Sequence, residues 1–208
     1  MKNLEEAIAS IEQELDEKDQ IREIALKSSR AIVRLSGSAL KDIHRGKDVS
    51  PKLAELKDEV SRLSNLLTDH PDLVRAGYVE SAFQEYGEVG MVMSILQDGD
   101  VPMPEDLGVG SIPYLLALGD TVGELRRFSL EELRRGNVER ANHHLDMMED
   151  IYHALMRFDY PDAIAAVRHK QDVARSLLER TRGDVAVATN ARRLHDKLDD
   201  LAGRTGRE

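Results

Sequence analysis

From Asn3 to about Arg45 the apolar residues return mostly at steps of three and four. The series is Leu4, Ile8, Ile11 and Leu15, then Ile21, Ile24, Ala25, Ser28, Ile32, Leu35 and Leu40. That step is the period of one face of an α-helix, and a run of this length fits no strand. It exceeds the usual length of a globular helix, so it either breaks near Gly37 or extends past the core as an oligomer-forming arm. The same step recurs in Leu53, Leu56, Val60, Leu63 and Leu67, and again in Val79, Ala82, Phe83, Tyr86, Gly90 and Met93. Leu118, Val122, Leu125 and Ser129 carry it on, as do Ala141, Leu145, Met148, Ile151, Tyr152 and Leu155. Aromatic residues are only 4% and Trp is absent. The core must then come from Leu, Ile, Val, Ala and Met, a composition suited to helices. The expected fold is all-α, a seven-helix bundle without a sheet.

Punctuation residues divide the pattern. Ser50 reads as an N-cap with Pro51 at the first helical position. The second helix should end near Thr68-Asp-His-Pro71, and the third should run out at Asp98-Gly-Asp100. Val101-Pro-Met-Pro-Glu-Asp-Leu-Gly108 is a loop, too short to be a domain linker, so residues 1–208 are expected to form one domain. Gly136 should terminate the fourth helix after Arg134. Phe158-Asp-Tyr-Pro-Asp162 reads as a turn, with Pro161 opening a sixth helix. Gly183-Asp184 should close that helix before a seventh through Leu201. Gly203 to Glu208 should fray.

Cys is absent, which excludes disulfides and thiolate metal sites. No apolar run approaches about 18 residues, so a membrane-spanning helix is not expected and the cytoplasm is the expected location. His143 and His144 invite a metal reading, but no pair of Glu-x-x-His motifs accompanies them. Net charge is −10, an awkward balance for a ligand of nucleic acid, which needs Lys and Arg at its contacts. Basic side chains are nevertheless grouped. Lys27, Arg30 and Arg34 share one face of the first helix. Arg168, His169, Lys170, Arg175, Arg180 and Arg182 form the most basic region of the chain. Each group is either a solvated face or a phosphate-contacting surface.

Two acidic pairs stand out. In Gln84-Glu-Tyr-Gly-Glu88, Glu85 and Glu88 lie at i, i+3. In Tyr114-Leu-Leu-Ala-Leu-Gly-Asp-Thr-Val-Gly-Glu-Leu-Arg-Arg127, Asp120 and Glu124 lie at i, i+4, on a face roughly opposite the apolar stripe. Like charges so spaced cost a helix a few tenths of a kcal/mol. Gly119 and Gly123 sit beside the second pair and imply close approach of another backbone. Taken alone, such acids are either a solvated face or hard oxygen ligands for Mg²⁺ or Mn²⁺.

The pairing of these two motifs resembles the translin superfamily, in particular the branch of translin-associated factor X and its archaeal relatives. The likeness extends from Arg22-Glu-Ile-Ala-Leu-Lys-Ser-Ser-Arg30 to Leu178-Glu-Arg-Thr-Arg-Gly-Asp184. It implies a homo-oligomer, an octamer in the family, whose helical subunits enclose single-stranded RNA, or single-stranded DNA, in a hollow shell. It also implies a metal-dependent endoribonuclease. Glu85, Glu88 and Asp120 would be ligands of Mg²⁺ or Mn²⁺, and Glu124 a fourth ligand or general base. Lys27, Arg30, Arg34, Arg168, Lys170 and Arg175 would contact nucleic acid. The alternative within the superfamily is a non-catalytic RNA- or DNA-binding protein, as translin itself is. Gly87 departs from the family pattern, which has a larger apolar residue there. Four clustered anions should repel one another, so that neutralising one leaves the metal-free fold equally or more stable.

Overall fold

The computed structural model describes residues 2–97 and 99–205, apart from the side chains of residue 2 and of residues 203–205. Every regular element among them is a helix: α1 (Lys2–His44), α2 (Ser50–Leu66), α3 (Pro71–Val74), α4 (Gly77–Leu96), α5 (Pro104–Leu107), α6 (Ser111–Arg134), α7 (Val138–Leu155) and α8 (Arg168–Thr205). None of these helices is long and apolar enough to cross a membrane. The packing divides the chain into two compact units, Met1–Ala117 and Leu118–Glu208, with the boundary inside α6.

In the first unit, α1 runs through Gly37 unbroken and packs on α2 and α4. Ala25, Ser29, Ile32, Ser36 and Ala39 are the buried edge of α1, at alternating steps of four and three. Small residues there let the partner helices approach closely. Polar links fix α1 and α2 antiparallel. Ser28 donates to Glu59 at 2.6 Å, and near the turn Lys52 reaches Ser38 and Asp42. Ser50 is the first residue of α2 rather than its cap; Val49 holds the cap position, and the Asp48 carboxylate just before it accepts the Ser50 N–H at 2.9 Å. The third expected helix splits in two, because Pro71 starts the single turn α3 before α4 begins. α4 stops at Leu96, and Asp98, where its end was expected, lies outside the described residues.

In the second unit, α7 and α8 run antiparallel, tied by Arg175 to Tyr152, Arg182 to Glu149 and Arg192 to Glu139. Two expectations fail here. Residues 161–167 are turns and irregular chain, and α8 begins only at Arg168. The side chain of Gln171 donates to the carbonyls of Leu155 and Phe158, both at 2.8 Å, which satisfies the end of α7 and fixes this connection. Gly183 does not end a helix, and the sixth and seventh expected helices are the one element α8. Residues on both sides of Gly183 are anchored, Thr181 and Val185 by burial and Arg182 and Asp184 by ion pairs. Those contacts outweigh the helix cost of one glycine, about 1 kcal/mol. The glycines that do end or interrupt helices, Gly46, Gly108 and Gly136, have φ of 65°, 65° and 80°. Residues 206–208, the end of the expected frayed tail, lie outside the described residues.

Candidate functional site

α4 presents the first acidic pair. Its apolar side is buried through Val79, Ala82, Phe83, Val89, Val92 and Ile95. Glu85 is half-buried, whereas Glu88 is 8% exposed. Gly87, between them, has a local cause. A Cβ built there would lie 3.1 Å from the Cβ of Ala117 in the first half of α6, closer than ordinary contact. A larger side chain at this position would push α4 away from α6. Gly90, one turn on, meets the side chain of Leu107 in the same way, at 2.6 Å from where its Cβ would be.

The second acidic pair lies beyond Ala117 on α6, within the second unit. Leu118, Val122, Leu125 and Ser129 are all buried, as their spacing predicts, and the Ser129 hydroxyl donates to the Ala141 carbonyl at 3.0 Å. Asp120 and Glu124 are half-buried. The two glycines beside them seat α8. At Gly119 a Cβ would fall 2.6 Å from the Cβ of Lys170, and at Gly123 one would lie 3.8 Å from Leu177. Further along, Arg126 donates to Thr181 at 2.7 Å and pairs with Asp184 at 3.1 Å. Because 119, 123 and 126 on α6 meet 170, 177 and 181 on α8 in order, the two helices run parallel.

This contact joins two residues expected in separate roles. The Lys170 ammonium donates to the Asp120 carboxylate. Asp120 therefore carries a compensating charge rather than only repulsion from other acids. Neutralising it removes an attraction as well as a repulsion, so Asp120→Asn should favour the metal-free fold less than the spacing of the acids implies. No local spacing could disclose the pair, since 50 residues separate its members. The one sequence signal was Gly119, which marks where something must come close. Among the described residues, no three histidine or acidic side chains gather closely enough to hold a metal ion. His144 is buried with its ring 6.1 Å from that of Phe128, and His143 is exposed.

The basic residues fall in two settings. Lys27, Arg30 and Arg34 are exposed on α1, and none of them makes an ion pair among the described residues. On α8, Arg168 pairs with Asp159 at 3.1 Å, Lys170 with Asp120, and Arg175 donates to the Tyr152 hydroxyl at 3.1 Å. The Tyr152 contact raises the Arg175 pKa further above its already high ordinary value.

The sequence profile of the Translin family matches residues 3–182. The chain is 34% identical over 188 residues to the uncharacterized protein MJ0175 of Methanocaldococcus jannaschii, covering 88% of this chain and 83% of that protein. Its fold is similar to the crystal structure of AfC3PO, with 31% identity, a TM-score of 0.73, and coverage of 89% of this chain and 98% of that one. It is similar also to AfC3PO in complex with duplex RNA, with 29% identity, a TM-score of 0.72 and the same coverage. The crystal structure of apo-NeC3PO shares the fold at 23% identity and a TM-score of 0.78, over 87% of this chain and 96% of that one.

Proposed function

Because this chain belongs to the Translin family, we propose that it is an RNA-binding protein that works as a homo-oligomer. We further propose that it is a metal-dependent endoribonuclease using Glu85, Glu88, Asp120 and Glu124. The similarity to AfC3PO, a protein seen with duplex RNA, supports the first part. The observation that carries the second is Glu88, a carboxylate in the middle of α4 left only 8% exposed. Charged side chains are seldom buried this far without a partner or a metal, so an acid at such a position is a candidate ligand.

Carboxylate oxygens suit Mg²⁺ or Mn²⁺, which when bound supplies an activated water and neutralises charge at a scissile phosphate. The donor types thus fit the metal, although the described side chains are not gathered around one point. Lys170 links binding to this chemistry. Asp120 would serve as a ligand only with the Lys170 ammonium off it, and an RNA phosphate would offer that ammonium another anionic partner. The engaged state of Asp120 also favours a second reading, an RNA-binding protein that does not cleave.

The two readings separate in one experiment. Purified protein is incubated with a short single-stranded RNA, and with a duplex of the same sequence, in Mg²⁺ or in EDTA. Cleavage in Mg²⁺ alone is expected, and its loss in the Asp120→Asn and Glu88→Gln proteins while RNA binding persists. Intact RNA under every condition, with binding retained, would establish the non-catalytic reading. Cleavage at wild-type rate by Asp120→Asn would sink the site assignment.

A further inference from the structure

Two stretches of helix extend beyond the packed units with their apolar stripes open. Every residue from 3 to 17 of α1 is exposed, and Leu4, Ile8, Ile11 and Leu15 are exposed by 51, 47, 50 and 58%. Lys18, paired with Asp72, marks where α1 rejoins its unit. Every residue from 190 to 202 of α8 is likewise exposed, and Val187, Leu194, Leu198 and Leu201 are exposed by 71, 60, 54 and 57%. Solvated helices do not ordinarily keep an aliphatic stripe of this kind.

Both stripes follow the heptad seam of a two-stranded coil. In α1, Ile8 and Leu15 take the a positions and Leu4 and Ile11 the d positions. In α8, Ala191 and Leu198 are a, with Val187, Leu194 and Leu201 as d. The flanking e and g positions choose the partner. In α1 they are Glu5, Ala7, Glu12, Glu14 and Asp19, acidic at every place but one. In α8 they are Ala188, Asn190, His195, Lys197 and Ala202, with no acid among them. Two α1 stripes would set acid against acid in either orientation, and the same acids repel RNA and anionic membranes. The lengths agree, about 17 Å from Leu4 to Leu15 and about 21 Å from Val187 to Leu201 at ~1.5 Å per residue. Each stripe is also the continuation of a helix already anchored in its unit, so the costly nucleation step of a short coil is already met.

We propose that the exposed start of α1 in one copy of this chain packs on the exposed end of α8 in another copy, as a two-stranded coil. It rests on the homo-oligomer proposed above but not on RNA binding or cleavage.

The absence of native Cys allows a direct test on the full chain. One sample carries Ile11→Cys and another Leu198→Cys, and the two are mixed with a short bis-maleimide linker. Mixed dimers should form in clear excess over pairs of like variants. In parallel, light scattering follows Glu12→Lys/Glu14→Lys, whose changes are fully exposed and should leave helical circular dichroism unaltered. Its mass should fall below wild type and recover on mixing with Lys197→Glu protein, whose end of α8 carries the opposite charge. Cross-links only between like variants, or a wild-type mass for Glu12→Lys/Glu14→Lys alone, would overturn the pairing. Either result leaves the RNA assays above to stand or fall separately.

Discussion

Gly119 and Gly123 lie one turn apart on α6, yet a methyl group has opposite consequences at the two positions. At Gly119 it would sit 2.6 Å from the Lys170 Cβ, an atom fixed to the α8 backbone and unable to swing aside. At Gly123 it would make ordinary contact with Leu177 at 3.8 Å. Gly119→Ala should therefore destabilise the protein by about 1–3 kcal/mol through overpacking. Gly123→Ala should stabilise it by about 0.5–1 kcal/mol, because alanine loses less backbone freedom in a helix. Urea denaturation of the two variants reads the signs, and equal losses would show the α6–α8 contact to be misplaced. The sequence marked both glycines as places of close approach but could not rank them, since the ranking belongs to a partner 51 residues away at Gly119. Gly87 is the same case, a departure from the family pattern whose cause, Ala117, lies on another helix. The Asp120–Lys170 pair was hidden for that reason too.

At the scale of elements, apolar spacing was enough to place α1, α2, α4, α6 and α7, because each buries one stripe against neighbours. It failed at Gly183 and at residues 161–167, where the outcome depends on side chains from elsewhere. Ion pairs of Arg182 and Asp184 carry α8 through its glycine, and Gln171 secures the irregular chain after α7. The α1–α2 turn shows how a few charges secure such a junction. Asp42, on α1, is held by Lys52 of α2 and by Lys47 in the turn at 2.9 Å, which lowers its pKa to about 2. A carboxylate lowered in the folded state stabilises above its unfolded pKa of about 4, and that contribution is lost as pH falls through about 2. Asp42→Asn should therefore lower the Tm at neutral pH, by an amount that shrinks steadily between about pH 4 and pH 2. A deficit that stayed constant across that interval would assign the loss to packing rather than to charge.

For the molecule as a whole, net charge misleads and local charge informs. With a balance of −10, binding to RNA must rely on grouped bases. Lys27, Arg30 and Arg34 have no ion-pair partners among the described residues, whereas Arg168 and Lys170 are already engaged by Asp159 and Asp120. Arg30→Ala/Arg34→Ala should thus weaken RNA binding more than Arg168→Ala/Lys170→Ala. It should also reduce the slope of log affinity against log salt by about 1 for each phosphate no longer neutralised. Filter binding from low to moderate salt measures both, and an unchanged slope in the first variant would place the RNA on another surface. Family and helical class were legible in the acidic motifs and the apolar step. The surplus of apolar residues at the start of α1 was legible as well, but its match at the end of α8 was concealed by the expected break at Gly183.

Because α1 passes from its exposed start to its buried edge as one uninterrupted helix, the two share a rotational phase as well as a distance. A single residue inserted between Glu17 and Lys18 would turn the Leu4–Leu15 stripe by about 100° while leaving every buried contact of α1 in place. Seven inserted residues would return the stripe to within about 20° of its original direction and carry it about 10.5 Å further out. Residues 3–17 thus act as a pointer whose bearing is set by Ala25, Ile32 and Ala39. If the stripe pairs as proposed, insertions and deletions along this stretch should be constrained by the pitch of the helix more than by the chemistry of any one side chain.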